Sequence, residues 1–499
     1  MKFLIFLFFS INIFASTLHL VTSSNPSRLN PILATDSASS EISSFLFNGL
    51  IKYDKTSTKI VGDLAESFYF EDDKTLIFKL RSGVKWHDGV SFSADDVIFT
   101  YEVLLSPTIS TPYSSSFKHI KRIEKLDELT LKVIYKEPYF RALEMWGLGI
   151  LPKHILSNEP NLMNSSFNTN PIGTGPYRLT QLEHSKNILL SAYDDYFEGR
   201  AKIDTISFSV VGDAMSRFLM LKSGTIDIDS LEPMQLERQL DKNFLDKFDI
   251  HESIAYTYSY LGFNLREKKF ADPRVREALS LAIDRDELID ILFFDHAKVC
   301  NGPFLPATKA YNEDVKAPKQ DIQKAKKLLQ DAGYNEKNPL SFEIATSNSS
   351  TIRVYAAQIL QHQLKKAGVD VKLKIMEWQA FLNMVVFPRK FETILLGWGL
   401  SKQPDPYMMW HSEADVAGGF NIIGYHNDKL DKMIEESQSI VDQEKIMPLF
   451  RDMFKLIADD NPYLFLYIPT SITAVSKKIK NIEPSPSGIW HNYIKWEIP

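Results

Sequence analysis

A single cysteine, Cys300, stands in 499 residues. That excludes an intramolecular disulfide, a CxxC pair and a zinc site built on several thiolates, so packing must hold the fold together. An excess of positive charge is missing too, since 57 lysines and arginines face 63 aspartates and glutamates for a net charge of -6. Without a global positive field, nucleic acid and anionic lipid are poor partners. After Ser16 no apolar run reaches the roughly 18 residues that a membrane-spanning helix needs. Even the apolar segment from Phe391 to Trp398 is interrupted by Glu392 and Thr393. What is present is ordinary for a folded, water-soluble chain: 44% hydrophobic, 24% charged and 12% aromatic residues. At roughly 150 residues per domain the length predicts about three domains.

The chain opens with Met1 Lys2, an apolar run through Phe9 and on to Phe14, and then Ala15 Ser16. A positive start, an apolar stretch and a small residue at the end predict a cleavable signal peptide over 1–15. The run is too short to span a bilayer. A lipoprotein would need a cysteine directly after cleavage, and Cys300 is far away, so a free periplasmic protein is expected.

Strand-like and helix-like segments are mixed throughout, which predicts an α/β or α+β chain with more than one sheet and no fixed repeat. Leu18 to Thr22 reads as a short strand, and Ser23 to Ser40 as a long polar loop with turns at Asn25 Pro26 and Asn30 Pro31. Thr75 to Leu80 is a strand that turns through Ser82 Gly83 into the corner Trp86 His87 Asp88 Gly89. Ser93, with Asp96 three residues on, predicts a capped helix whose Val97, Tyr101 and Leu104 share one face. Asp272 before Pro273 opens a second helix. Asp321 caps a third that Gly333 stops, and a fourth runs from Thr351 to Lys366. Val369 to Ile375 alternates as a strand. Thr393 to Trp398 is an apolar strand ending in the loop 399–406, the place where α/β folds build sites. Domain crossings are expected in the Pro- and Asn-rich stretch before Gly173 Thr174 Gly175 and near Gly262 Phe263 Asn264.

Motifs for zinc proteases, nucleotide P-loops and serine hydrolases are absent, and Pro176 spoils Gly173 and Gly175 as a dinucleotide fingerprint. The paired acids Asp95 Asp96, Asp194 Asp195 and Asp459 Asp460 are expected to point apart. His87 beside Asp88 reads as part of a turn. His411 and His426 bracket the loop 418–421 and are the histidines best placed to meet on a metal. Trp398, Ser401 and Asp405 put an aromatic plate, a hydroxyl and a carboxylate in one proline-stiffened loop. That combination suits a ligand carrying a cationic amine and apolar parts. Trp410, Phe420 and Asn421 flank the same segment, and Thr35 and Asp36 belong to the long first loop; all are candidate ligand-binding residues.

Residues 64–101 read LAESFYFEDDKTLIFKLRSGVKWHDGVSFSADDVIFTY. This stretch resembles the extracytoplasmic solute-binding proteins of family 5, the oligopeptide-, dipeptide- and nickel-binding components of ABC importers. The family's other blocks appear as GTGPY at Gly173 to Tyr177, DPRVREAL and LAIDR between Asp272 and Arg285, and ALLAGY-type spacing from Ala325 to Tyr334. The resemblance covers nearly the whole mature length. It implies a two-lobed periplasmic binding protein of type II, cluster C, with an inserted extra domain. Residues 16–48, 172–262 and 474–499 would form a discontinuous first lobe, 49–171 the insertion and 263–473 the second lobe. It further implies a monomeric receptor, neither enzyme nor cofactor-dependent, that binds a peptide between its lobes and delivers it to a cognate permease in the inner membrane. A nickel chelate or another small solute is the alternative cargo. In the family's peptide binders an aspartate three residues after the tryptophan of the late GW loop pairs with the peptide amine. Here that position is Ser401, and Asp405 lies four residues further on.

Overall fold

The computed structural model describes residues 16–499 apart from 56–58, 307, 417–418 and 486–487. The expected signal segment 1–15 lies outside the described residues. Three large sheets carry the chain, of four, eight and four strands, with a two-stranded ribbon beside them.

In the first sheet Thr17–Thr22 runs parallel to Thr205–Val210, and Asn187–Ala192 and Tyr177–Glu183 continue it antiparallel. Leu18 and Leu20 are buried while His19 between them is exposed, the period of two that a sheet with one covered face imposes. The second four-stranded sheet is antiparallel, in the order Ala65–Asp72, Thr75–Leu80, Thr130–Tyr135, Ile120–Asp127. The helix Ala94–Leu105 belongs to this unit. Its Ser93 and Asp96 form the reciprocal capping box that their spacing predicts, and Val97 and Leu104 are buried.

The eight-stranded sheet is organised around one long strand, Tyr463–Ser476. Its first half pairs with Thr257–Phe263 and Ala297–Val299, and its second half with Phe248–Ile254 and Ile228–Leu231. At about 3.3 Å per residue, fourteen residues reach roughly 45 Å. Thr257–Phe263, which the sequence reading assigns almost wholly to the first lobe, is hydrogen-bonded along its full length to Thr393–Gly399. The parallel pair Ser341–Ser347 and Asp370–Met376 extends the same side of the sheet.

Helix signals read from the sequence reappear as geometry. Asp272 caps a helix with Pro273 at its first position. Asp321 caps Ile322–Asp331, and Gly333 follows at φ +95°, a left-handed turn that costs glycine nothing. Thr351–Lys366 begins and ends at the expected residues. The polar loop 23–40 is shorter than expected, because Ser37–Leu46 is a helix. Serine competes for backbone hydrogen bonds and disguises helices, but Ile42, Phe45 and Leu46 form a buried stripe at helical spacing.

Candidate functional site

The motif-rich corner is structural, and it positions one wall of a cleft. The His87 imidazole accepts a hydrogen bond at Nδ1 from Gly173 N (3.1 Å), so its Nε2 carries the proton donated to Gly175 O (3.0 Å). Burial pushes this imidazole down to about 4, despite the bond to Gly175. Gly175 N in turn donates to Leu46 O (2.8 Å), an end carbonyl of the helix Ser37–Leu46. The backbones approach so closely that a Cβ on Gly173 would lie 1.8 Å from Leu46 O, and one on Gly175 would lie 2.4 Å from Phe45 O. Trp86, His87 and the GTG block therefore lock the helix that presents Ser40, Ser43 and Ser44 to a cavity of about 900 Å³. Asn48 continues the wall, with its Nδ2 donating to Asp63 Oδ2 (2.9 Å) and Lys52 pairing with both Asp63 (3.2 Å) and Glu198 (2.7 Å).

Across the cleft a second cavity of about 320 Å³ is lined by Trp398, Ser401, Asp405 and Phe420. Arg141, from the segment 136–150, borders both cavities. Its Nε donates to Glu144 Oε2 at 2.8 Å and its Nη1 lies 3.4 Å from Asp405 Oδ2. Tyr53 donates its hydroxyl to the other oxygen of Glu144 (2.8 Å). The loop reaches distant segments at two further points, near Tyr53 and near Phe140. Lys402 Nζ sits 4.9 Å above the Tyr53 ring and 5.9 Å from that of Tyr256, and burial there holds its ammonium below the usual range. Gln403 Nε2 donates to Phe140 O (3.5 Å).

The strand Thr393–Gly399 ends on an aromatic stack. Trp398 lies parallel to Tyr260 at 6.2 Å and tilted against Phe420 at 5.5 Å, and its indole N–H donates to Tyr463 Oη (3.3 Å). Arg353, in the first turn of Thr351–Lys366, neighbours Tyr260 and Tyr467. Burial lowers its guanidinium, and among the described residues it has no carboxylate partner.

Of the candidate residues, Trp398, Ser401, Asp405 and Phe420 come together on one cavity. Ser401 spends its hydroxyl on Gln403 O, and Asp405 also accepts from Tyr407 N (3.1 Å). Trp410 and Asn421 are fully buried behind them. Trp410 packs on Tyr463 at 4.9 Å, and Asn421 bonds to His411 O and to both backbone groups of Tyr425. Thr35 is exposed. Asp36 caps its helix, accepting from Ser39 N (2.8 Å) and Ser27 Oγ (2.5 Å); neither residue lines the cavity, whereas Ala34 and Ser40 on either side of them do. His411 is buried against Tyr407, while the exposed His426 pairs with Asp415 (3.1 Å). Among the described residues no three histidine, cysteine or acidic groups gather as a metal site. The paired acids diverge as expected: Asp95 pairs with Lys125 while Asp96 caps its helix, and Asp194 pairs with Arg200 while Asp195 pairs with Lys85.

Arg141 and Glu144 carry charge at the cavity of about 900 Å³, Tyr53 lines it beside them, and none of the three was singled out from the sequence. Arg141 and Glu144 do sit three apart in an aromatic segment, the one local sign of an ion pair there.

The comparisons agree with this architecture. The profile described as "Bacterial extracellular solute-binding proteins, family 5 Middle" matches residues 59–419. The oligopeptide-binding protein AppA of Bacillus subtilis is 33% identical, covering 94% of this chain and 89% of its own length. The structure of that protein in complex with a nonapeptide superposes with a TM-score of 0.80 at 30% identity, over 97% of this chain and 99% of that one. NikZ from Campylobacter jejuni in complex with Ni(L-His) gives 0.81 at 29% identity, over 97% of this chain and all of the other. A two-lobed α/β chain, matched over most of its length, belongs to the bacterial extracellular solute-binding proteins of family 5, the cargo receptors of ABC importers.

Proposed function

We propose that the chain captures a peptide between its lobes and passes it unaltered to a permease in the inner membrane. The observation that carries this reading is the composition of the cleft. A large cavity walled by serines and by Arg141 and Glu144 meets an aromatic and acidic loop from the opposite side. Asp405 would take a peptide's amine, Trp398 and Phe420 its apolar side chains, and Arg353, which has no carboxylate partner among the described residues, a carboxylate. That set of groups suits a zwitterionic chain bound in extended form. The kinship with a nonapeptide-binding relative supports the same class of ligand.

On this reading the first lobe holds 16–48, 172–254 and 470–499, the insertion 49–171, and the second lobe 257–469, with crossings at Ala255 Tyr256 and within Tyr463–Ser476. The lobes close about these crossings by hinge rotation. The chain is exported by the segment 1–15, acts as a monomer in the periplasm and carries no lipid, since Cys300 is fully buried with its thiol pushed up to about 12 by that burial. It performs no catalysis.

The test is to purify the mature protein, unfold it and identify the released ligand by mass spectrometry. Peptides are expected, and synthetic copies of them should raise the melting temperature of the emptied protein. Recovery of a nickel–histidine complex or a sugar, with no stabilisation by any peptide, would overturn the reading.

A further inference from the structure

Asp405, the carboxylate placed to receive an amine, already has a cation of the protein's own. Arg141 reaches it across the cleft at 3.4 Å, a long contact, while holding Glu144 at 2.8 Å through a separate nitrogen. The two carboxylates are not equivalent. Glu144 is 9% exposed, belongs to the same short segment as Arg141 and also accepts the Tyr53 hydroxyl, whereas Asp405 is 23% exposed and arrives from the other lobe. Arg141 thus has one permanent partner and one partner it can give up without becoming an unpaired charge.

We propose that Arg141 determines specificity by acting as a displaceable stand-in for the ligand's amine, so that the cleft accepts both peptides with a free amino terminus and ligands without one. A ligand ammonium takes Asp405 and leaves Arg141 on Glu144. A ligand whose terminus is blocked leaves Asp405 on Arg141. In neither case does closure strand a charge in a drying cleft, the event that makes truncated ion pairs costly. This inference deepens the peptide reading and rests on it.

The experiment uses two random-sequence peptide pools, one with free and one with acetylated amino termini, titrated against the emptied full-length protein by calorimetry. Wild type should discriminate between them by less than about tenfold. Arg141→Gln retains a donor for Glu144 but cannot neutralise Asp405, and should widen the ratio at least about tenfold, mainly by weakening the acetylated pool. Arg141→Lys keeps a cation and should preserve the narrow ratio, which separates loss of charge from damage to the fold. Equal ratios in wild type and Arg141→Gln, with both pools still binding, would overturn the role of Arg141 and leave peptide capture standing. So would a Lys variant that behaves like the Gln one. Binding of neither pool by wild type would take down the peptide reading itself.

Discussion

The corner around His87 and the loop 399–406 are built on opposite terms. At the corner the side chains of Trp86, His87 and Asp96 are buried and answered: the imidazole bonds to two glycine backbones, and Trp86 and Asp96 bond to each other (3.4 Å). At the loop the charged groups are half-exposed and reach partners in a different part of the molecule. The first region yields the dense sequence motif, yet its Trp86, His87, Gly173 and Gly175 line neither cavity; the second has a weak motif and lines one. Motif density here marks a place where the backbone has no slack, while the site depends on groups that can change partners.

The largest effect that would sharpen this contrast is at Gly173. With a Cβ only 1.8 Å from Leu46 O, Gly173→Ala must move a backbone, and a loss on the order of 3 kcal/mol or more is expected in a urea titration. A loss under about 1 kcal/mol would break the claim that the corner is rigid. His87 supplies the next. Its folded value of about 4 lies below the ordinary 6.5, so between these values the unfolded chain binds a proton that the folded one refuses. Stability is complete above pH 6.5, falls as pH drops toward 4 and levels below it, by about 3 kcal/mol in all. His87→Gln should flatten that part of the stability–pH curve, and an unchanged slope would place the titration elsewhere.

At the loop the effects should fall on binding and spare stability. Asp405→Asn leaves Arg141 facing any incoming amine, so free-amine peptides should weaken about tenfold, acetylated ones hardly, and the urea midpoint should stay put. Equal weakening of both would remove Asp405 from amine recognition. Smallest of all, Lys402→Gln gives up the contact with Tyr53, a loss of about 0.5 to 1 kcal/mol. Because that contact joins two distant segments of the protein and not protein to ligand, every cargo should bind roughly two- to fivefold more weakly. A selective effect would mean that Lys402 touches the ligand.

Much of the scaffold was legible because its signals are local. Ser93 with Asp96, Asp272 with Pro273, and Asp321 with Gly333 each specify a helix end within a few residues. The strand-end loop was legible for the same reason, and its Ser401 and Asp405 do share a cavity with Trp398 and Phe420. Arg141 was not, since its partner Asp405 is 264 positions away and no periodicity reports a contact between segments so far apart. Nor could the sequence tell that Trp410 and Asn421 face inward while Phe420 faces out. Adjacent residues in an irregular loop follow no alternation from which burial could be read.

The strand Tyr463–Ser476 lends its ladder bonds to both halves of the protein. Neither half can be cut out as an independent fragment, because either piece would be left with a raw, unpaired β edge inviting aggregation. The same sharing binds the halves into one melting transition, so unfolding should give a single calorimetric peak.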